Sequence, residues 1–95
     1  MQEQQKKHIA ILGSTGSIGT QALEVVAENE DFFEIEVLTA GSNASLLIEQ
    51  AKTFKPNVVV IGAEDKYSEV FTALDPLGIK VYAGDNALAS VVEMD

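Results

Sequence analysis

The run Gly13-Ser14-Thr15-Gly16-Ser17-Ile18-Gly19 is where this sequence is best equipped for chemistry. It directly follows an apolar segment, His8-Ile9-Ala10-Ile11-Leu12, and opens a segment with helical periodicity. The first N–H groups of a helix have no partner within it, and the helix dipole adds partial positive charge there. A glycine turn at that point is therefore a cradle for an anion such as a phosphate. The spacing is G-x-x-G-x-x-G rather than the G-x-G-x-x-G of the common dinucleotide fingerprint, but the same physics applies. Gly13 can take the tight turn, Gly16 leaves no Cβ between the backbone and a pyrophosphate, and Gly19 lets the helix pack closely on the strand. Thr15 and Ser17 add hydroxyl donors. The bland alternative is a glycine-rich turn that only packs.

The second informative stretch is Thr39-Ala40-Gly41-Ser42-Asn43, at the end of the second expected strand. A domain that binds NAD usually carries Asp or Glu there, about 20 residues past the glycines, to hold the adenosine ribose 2′-OH. This stretch has no carboxylate, so a 2′-phosphate would meet no repulsion. Ser42, Asn43 and the N–H groups opening the next helix could receive it, which favours NADP over NAD. Ser42 or Asn43 could equally be a helix cap and nothing more.

Other chemistries are excluded by composition. The 95 residues contain no cysteine, so there is no disulfide framework, thiolate metal site or cysteine nucleophile. The single histidine, His8, rules out a multi-histidine metal site. It falls at the start of the first strand, away from the ligand end, and reads as a solvent-facing structural residue. Fifteen acidic residues against six lysines, with no arginine, give a net charge of −9. That balance argues against nucleic acid and against an anionic membrane surface as partners. No apolar stretch is long enough to span a bilayer. The polar residues 1–7 read as a tail without a signal-peptide apolar segment, which points to a cytoplasmic protein.

The elements that must hold the two stretches read as four strand-helix units. Strands are expected at His8–Leu12, Ile35–Ala40, Val58–Ile61 and Ile79–Ala83. The first helix is expected over Ser17–Glu28, burying Ile18, Ala22, Val25 and Val26, and it ends in an acidic solvated loop. Phe32 and Phe33 should cover the core edge before the second strand. The second helix should bury Leu47, Ala51 and Phe54 and stop at Pro56, with Lys52 and Lys55 suiting its C-terminus. A third, capped by Asp65, should bury Tyr67, Val70, Phe71 and Leu74, before a turn at Asp75-Pro76-Leu77-Gly78. A fourth should open at Asp85 or Asn86 and carry Leu88, Val91 and Val92.

Alternating strands and helices imply an α/β, Rossmann-like parallel sheet with right-handed crossovers and helices on both faces, here incomplete at about four strands. Val58-Val59-Val60-Ile61 is apolar throughout and suits an interior strand, whereas Ile79-Lys80-Val81-Tyr82 alternates and suits an edge. The expected order is therefore 4-3-2-1, not the arrangement with strand four beside strand one. Strand one is then open on one side, and such an edge invites pairing with another copy.

The residues Ile11-Leu12-Gly13-Ser14-Thr15-Gly16-Ser17-Ile18-Gly19-Thr20-Gln21 resemble the N-terminal signature of the 1-deoxy-D-xylulose 5-phosphate reductoisomerase family. The Leu23-Glu24-Val25-Val26 helix, Phe32-Phe33, and Leu38-Thr39-Ala40-Gly41-Ser42-Asn43 match in kind and spacing, so the resemblance covers nearly the whole chain. It implies an NADPH-dependent oxidoreductase of non-mevalonate isoprenoid biosynthesis that isomerises and reduces 1-deoxy-D-xylulose 5-phosphate to 2-C-methyl-D-erythritol 4-phosphate. It also implies a divalent metal (Mg or Mn), a sugar-phosphate substrate and a homodimer in the full-length parent. By position, it implies Thr15, Gly16, Ser17 and Ile18 at the pyrophosphate and Gly41, Ser42 and Asn43 at the adenosine end. Many members carry Lys or Arg where Ser42 stands. Because members are roughly four times longer, residues 8–95 read as a partial NADP-binding domain without the catalytic and C-terminal domains. That reading assigns neither catalytic nor metal-binding residues to this chain. Two other readings stay open: the cofactor domain of another NADP-linked enzyme, dihydrodipicolinate reductase-like or semialdehyde dehydrogenase-like, and a stand-alone nucleotide-sensing domain.

Overall fold

A computed structural model of the chain describes residues 6–84 and residue 87. The order of elements is β1 (Lys7–Ile11), α1 (Ser17–Glu28), β2 (Phe33–Ala40), α2 (Ala44–Phe54), β3 (Val58–Ile61), α3 (Tyr67–Leu74) and β4 (Lys80–Ala83), with short 3₁₀ turns at Glu64–Lys66 and Asp75–Leu77. The four strands form one parallel sheet in the order β1-β2-β3-β4, the expected order, with β1 and β4 at the edges among the described residues. The reason is visible in the side chains. Val59, Val60 and Ile61 are fully buried in the interior strand β3, while Lys80 and Tyr82 of β4 stay exposed.

One core joins the three described helices to one face of the sheet. Leu23 and Val26 of α1, Ala44, Leu47 and Ala51 of α2, and Val70 and Leu74 of α3 pack with Ile35, Leu38, Ala40, Val59, Ile61 and Val81. Crossovers that all advance in the same direction and keep the right-handed sense place their helices on the same side. The helix expected from Asp85 or Asn86 onward, on which coverage of the second face depends, lies outside the described residues. A bulge in β2 helps to fill the core. Ile9 pairs with Ile35 and Ala10 with Val37, so Glu36 is the extra residue, and Ile35 and Leu38 both join the core cluster.

Helix ends follow local chemistry at α2. The Asn43 side chain accepts a hydrogen bond from the Leu46 N–H at 3.2 Å, and Lys55, at φ +53°, ends the helix before Pro56. The expected Asp65 cap of α3 is corrected. A 3₁₀ turn at Glu64–Lys66 leads into that helix, and no side chain caps it. The buried face of α1 is corrected too. Gly19, Leu23 and Val26 point inward, while Ile18 and Val25 are 83% and 54% exposed. The close approach of Gly19 to the preceding turn sets that rotation, as described below. Phe33 enters β2 and packs against the core, whereas Phe32 is largely exposed. Tyr67 and Phe71 stack on each other at a centroid distance of 5.5 Å at the rim of α3 rather than burying fully. No described helix is long and apolar enough to cross a membrane.

Candidate functional site

At the C-terminal ends of β1 and β2 the glycine turn folds against the end of its neighbouring strand. Gly13 takes φ +68°, the left-handed region that glycine enters without a Cβ penalty. Its N–H donates to the Thr39 hydroxyl at 2.9 Å, and the Ser14 N–H donates to the Thr39 carbonyl at 2.7 Å. The Gly16 N–H closes the turn on the Gly13 carbonyl at 3.0 Å. The first hydrogen bond of α1 runs from the Thr20 N–H to the Gly16 carbonyl at 2.9 Å.

That inventory leaves the N–H groups of Thr15, Ser17, Ile18 and Gly19 without partners among the described residues. Gly16 is the N-cap of α1 and brings no side chain to satisfy them. Among the described residues, a Cβ built on Gly16 would meet only the Gly13 carbonyl oxygen, at 3.5 Å, so they leave the space in front of the turn open. An uncapped helix start facing open space suits an anion. Gly19 is a different case. A Cβ there would lie 2.2 Å from the Gly13 oxygen and 2.7 Å from Ser14 Cα, so only glycine lets α1 pack this closely on the turn. The Ile18 side chain consequently stands at the open end of the sheet rather than in the core.

The second stretch lies beside the first because β1 and β2 are neighbours in parallel register, with Ile11 opposite Leu38. Gly41, Ser42 and Asn43 are all exposed, and among the described residues nothing lies within 4 Å of a Cβ built on Gly41. The two polar residues have separated roles. Asn43 Oδ1 is committed to capping α2, whereas the Ser42 hydroxyl has no protein partner among the described residues. The seven residues singled out from sequence are thus brought together at one end of the sheet.

Sequence reasoning missed three further residues at this place. Ser14 is fully buried and Gln50 is 8% exposed. The Ser14 hydroxyl donates to Gln50 Oε1 at 2.7 Å, and Gln50 Nε2 donates back to the Ser14 carbonyl at 2.8 Å. Thr39 is the third, through its bonds to Gly13 and Ser14. The usable signal was Gln50 on the same stripe as Leu47 and Ala51, since a polar residue in an apolar stripe needs a buried partner.

The opposite end of the sheet carries the other cluster of titratable groups. His8 Nδ1 lies 2.6 Å from Glu36 Oε1 and 3.9 Å from Glu34 Oε2. The hydrogen bond to Glu36, helped by the charges of Glu34 and Glu36, raises His8 above its ordinary 6.5. The same bond, helped by the nearby Asn57 side chain, lowers Glu36 below its ordinary 4.5. The His8 contribution to stability is complete below its unfolded value and disappears as pH rises through the raised one. That of Glu36 is present above its unfolded value and disappears as pH falls through the lowered one. The pair is therefore strongest in mildly acidic solution. As His8 is the chain's single histidine, its ring-proton NMR titration should show a midpoint above 6.5. Glu36→Gln should return it toward the ordinary value, and an unmoved midpoint would refute the pairing. These three residues are the one potential metal grouping among the described residues. A cavity of about 240 Å³, lined by residues including Val26, Phe33, Ile35 and Phe54, also lies at this end. Neither adjoins the glycine turn, and ligands of open α/β sheets sit at the C-terminal strand ends.

The chain is similar to known proteins along nearly all of its length. The family model for 1-deoxy-D-xylulose 5-phosphate reductoisomerase matches residues 9–95. The enzyme of that name from Phocaeicola vulgatus is 56% identical over 88 residues, which cover 93% of this chain and 23% of the relative. A structure of the Zymomonas mobilis enzyme in complex with NADPH superimposes with a TM-score of 0.90 at 31% identity, covering 95% of this chain and 24% of that one. Another reductoisomerase, in complex with NADPH, fosmidomycin and magnesium, gives a TM-score of 0.85 at 25% identity, covering 94% of this chain and 22% of that one. The chain thus spans about a quarter of the length of the relatives it matches. With the glycine turn, the parallel sheet and the match over residues 9–95 in agreement, the chain belongs to the 1-deoxy-D-xylulose 5-phosphate reductoisomerase family.

Proposed function

We propose that this chain is the NADPH-binding portion of an oxidoreductase that isomerises and reduces 1-deoxy-D-xylulose 5-phosphate to 2-C-methyl-D-erythritol 4-phosphate. The observation that carries the reading is the uncapped start of α1, whose N–H groups, unpaired among the described residues, lie beside a strand end without a carboxylate. In this reading the N–H groups of Thr15, Ser17 and Ile18 hold the pyrophosphate, and Gly16 admits it by lacking a Cβ. Gly41 leaves room for the adenosine, and Ser42 and Asn43 meet the 2′-phosphate. Bound NADPH would supply the hydride. The chain's own residues bind and orient the cofactor, and the groups that hold the substrate are assigned to the remainder of a full-length protein.

A divalent metal does not fit the described residues at this end. The single potential grouping, His8 with Glu34 and Glu36, lies at the opposite end of the sheet and is engaged in its own ion pair. This reading leaves the metal site, the sugar-phosphate site and the homodimer contacts to the remainder of a full-length protein. The same reading takes the working compartment to be the cytoplasm, where NADPH, a charged and membrane-impermeant cofactor, is available.

Fluorescence titration of the 95-residue chain with NADPH should give saturable one-to-one binding. No NADPH oxidation should follow on adding 1-deoxy-D-xylulose 5-phosphate, because hydride transfer needs the substrate held against the cofactor. A folded chain that ignores NADPH at millimolar concentration would overturn the binding assignment. Turnover by the chain alone would overturn the division of roles.

A further inference from the structure

We infer that Gln50 is a positioning residue that locks the pyrophosphate turn and the adenosine end of the site into one frame. The inference rests on the NADPH reading above and adds a residue to it. Gln50 sits on α2, 36 residues along the chain from Ser14, and uses both ends of its amide on that one residue. Its oxygen accepts from the Ser14 hydroxyl at 2.7 Å, and its nitrogen donates to the Ser14 carbonyl at 2.8 Å. Both side chains are buried, and no buried side-chain N or O atom among the described residues lacks a partner.

The two bonds determine which N–H groups remain for a ligand. Thr39 takes the N–H groups of Gly13 and Ser14, Gly16 closes on Gly13, and Gln50 takes the Ser14 carbonyl and hydroxyl. Every polar group of Ser14 is thus spent inward. Thr15 and the start of α1 are left to present theirs outward. Gln50 also stands on the helix that Asn43 caps, so the strut that pins the turn belongs to the same rigid element as the adenosine end. A dinucleotide spans both places. Its affinity depends on their separation being set before it arrives, because a preorganised site spends less binding energy on ordering itself.

The test uses Gln50→Leu, which keeps bulk and removes both bonds, and Gln50→Glu, which can accept from the Ser14 hydroxyl but, when ionised, cannot donate to its carbonyl. Two probes separate positioning from general stability. NADPH spans both ends of the site, whereas adenosine 2′-monophosphate, which has no 5′-phosphate, reaches only the adenosine end. Leaving buried polar groups unpaired weakens the arrangement enough to predict a loss of about tenfold or more in NADPH affinity for Gln50→Leu. Adenosine 2′-monophosphate should change by about twofold or less, and Gln50→Glu should fall between. Without any ligand, Gln50→Leu should speed amide hydrogen exchange at Gly13, Ser14 and Gly16 but not at Val59 and Val60 of β3. Equal losses for the two probes, or unchanged exchange at the turn, would overturn the inference. If the unmodified chain binds no NADPH while exchange at the turn responds as expected, the NADPH reading falls and the strut stands. Should Gln50→Leu fail to fold, Ser14→Ala, which deletes one hydroxyl, carries the same comparison.

Discussion

Gly19→Ala is expected to lower the melting temperature by about 10 °C or more and to abolish NADPH binding. The added Cβ would lie 2.2 Å from the Gly13 oxygen, 2.7 Å from Ser14 Cα and 2.9 Å from the Gly13 carbonyl carbon. All three are backbone atoms, and the bonds to Thr39 and Gln50 hold the turn that contains them. Neither side can yield by a rotamer change, so α1 must lift away from the turn. Overpacking of this kind costs about 1–3 kcal/mol, and more where nothing can relax. A chain of this size has only about 5–10 kcal/mol of stability to lose. Gly16→Ala is the paired control. Its Cβ would meet one atom at an ordinary 3.5 Å, and Gly16 already has φ −82°, which alanine adopts freely. That variant should keep its melting temperature within about 5 °C while losing NADPH affinity, because the methyl occupies the space assigned to the pyrophosphate. Thermal denaturation by circular dichroism alongside NADPH titration checks both. A Gly19→Ala protein as stable as the unmodified chain, or a Gly16→Ala protein with full affinity, would contradict the packing or the binding role respectively.

Cofactor choice should respond as sharply at Ser42. The unmodified protein should prefer NADPH over NADH, by about tenfold to a few hundredfold, through the hydrogen bonds and partial charge offered at the start of α2. Asn43 Oδ1 is occupied as a cap, which leaves its Nδ2 and the Ser42 hydroxyl as the side-chain donors proposed for a 2′-phosphate. Ser42→Asp should weaken NADPH by about tenfold to several hundredfold, since two like charges about 4 Å apart repel by roughly 1–4 kcal/mol at the dielectric of a protein surface. NADH should be unchanged or bind more tightly, because a carboxylate there can hold the ribose 2′-OH. The substitution should not harm folding, as Asp at a helix start is favoured by the dipole. Ser42→Lys should act in reverse, tightening NADPH and leaving NADH nearly unchanged. Added salt should shrink both differences, because these charges are exposed. Titration of the three proteins with both cofactors at two ionic strengths decides the matter. An equal response of NADPH and NADH to Ser42→Asp would leave residues 41–43 with a structural role alone.

Much of this architecture is written locally in the sequence. Four apolar runs separated by helical periodicities suffice for a parallel α/β sheet. The contrast between Val58–Ile61 and the alternating Ile79–Tyr82 placed β4 at an edge beside β3, because a strand buried on both faces cannot carry Lys80. The glycines at the turn and at the helix contact were equally legible, since Gly13 takes a positive φ and Gly19 approaches backbone too closely for a Cβ. Other features exist only in three dimensions. Ile18, Ala22, Val25 and Val26 form as regular a stripe on α1 as Gly19, Leu23 and Val26 do, and periodicity cannot choose between faces rotated by one residue. The tertiary approach of Gly19 to the Gly13 carbonyl chose, sending Ile18 outward. Asp65 looked like a cap by type, but the tertiary path after β3 enters α3 through a 3₁₀ turn that dispenses with one. Gln50 and Ser14 are ordinary polar residues in the sequence, 36 positions apart. What joins them is the β1–β2 pairing and the crossover through α2, which together enclose two polar side chains where water cannot reach and leave each as the other's partner.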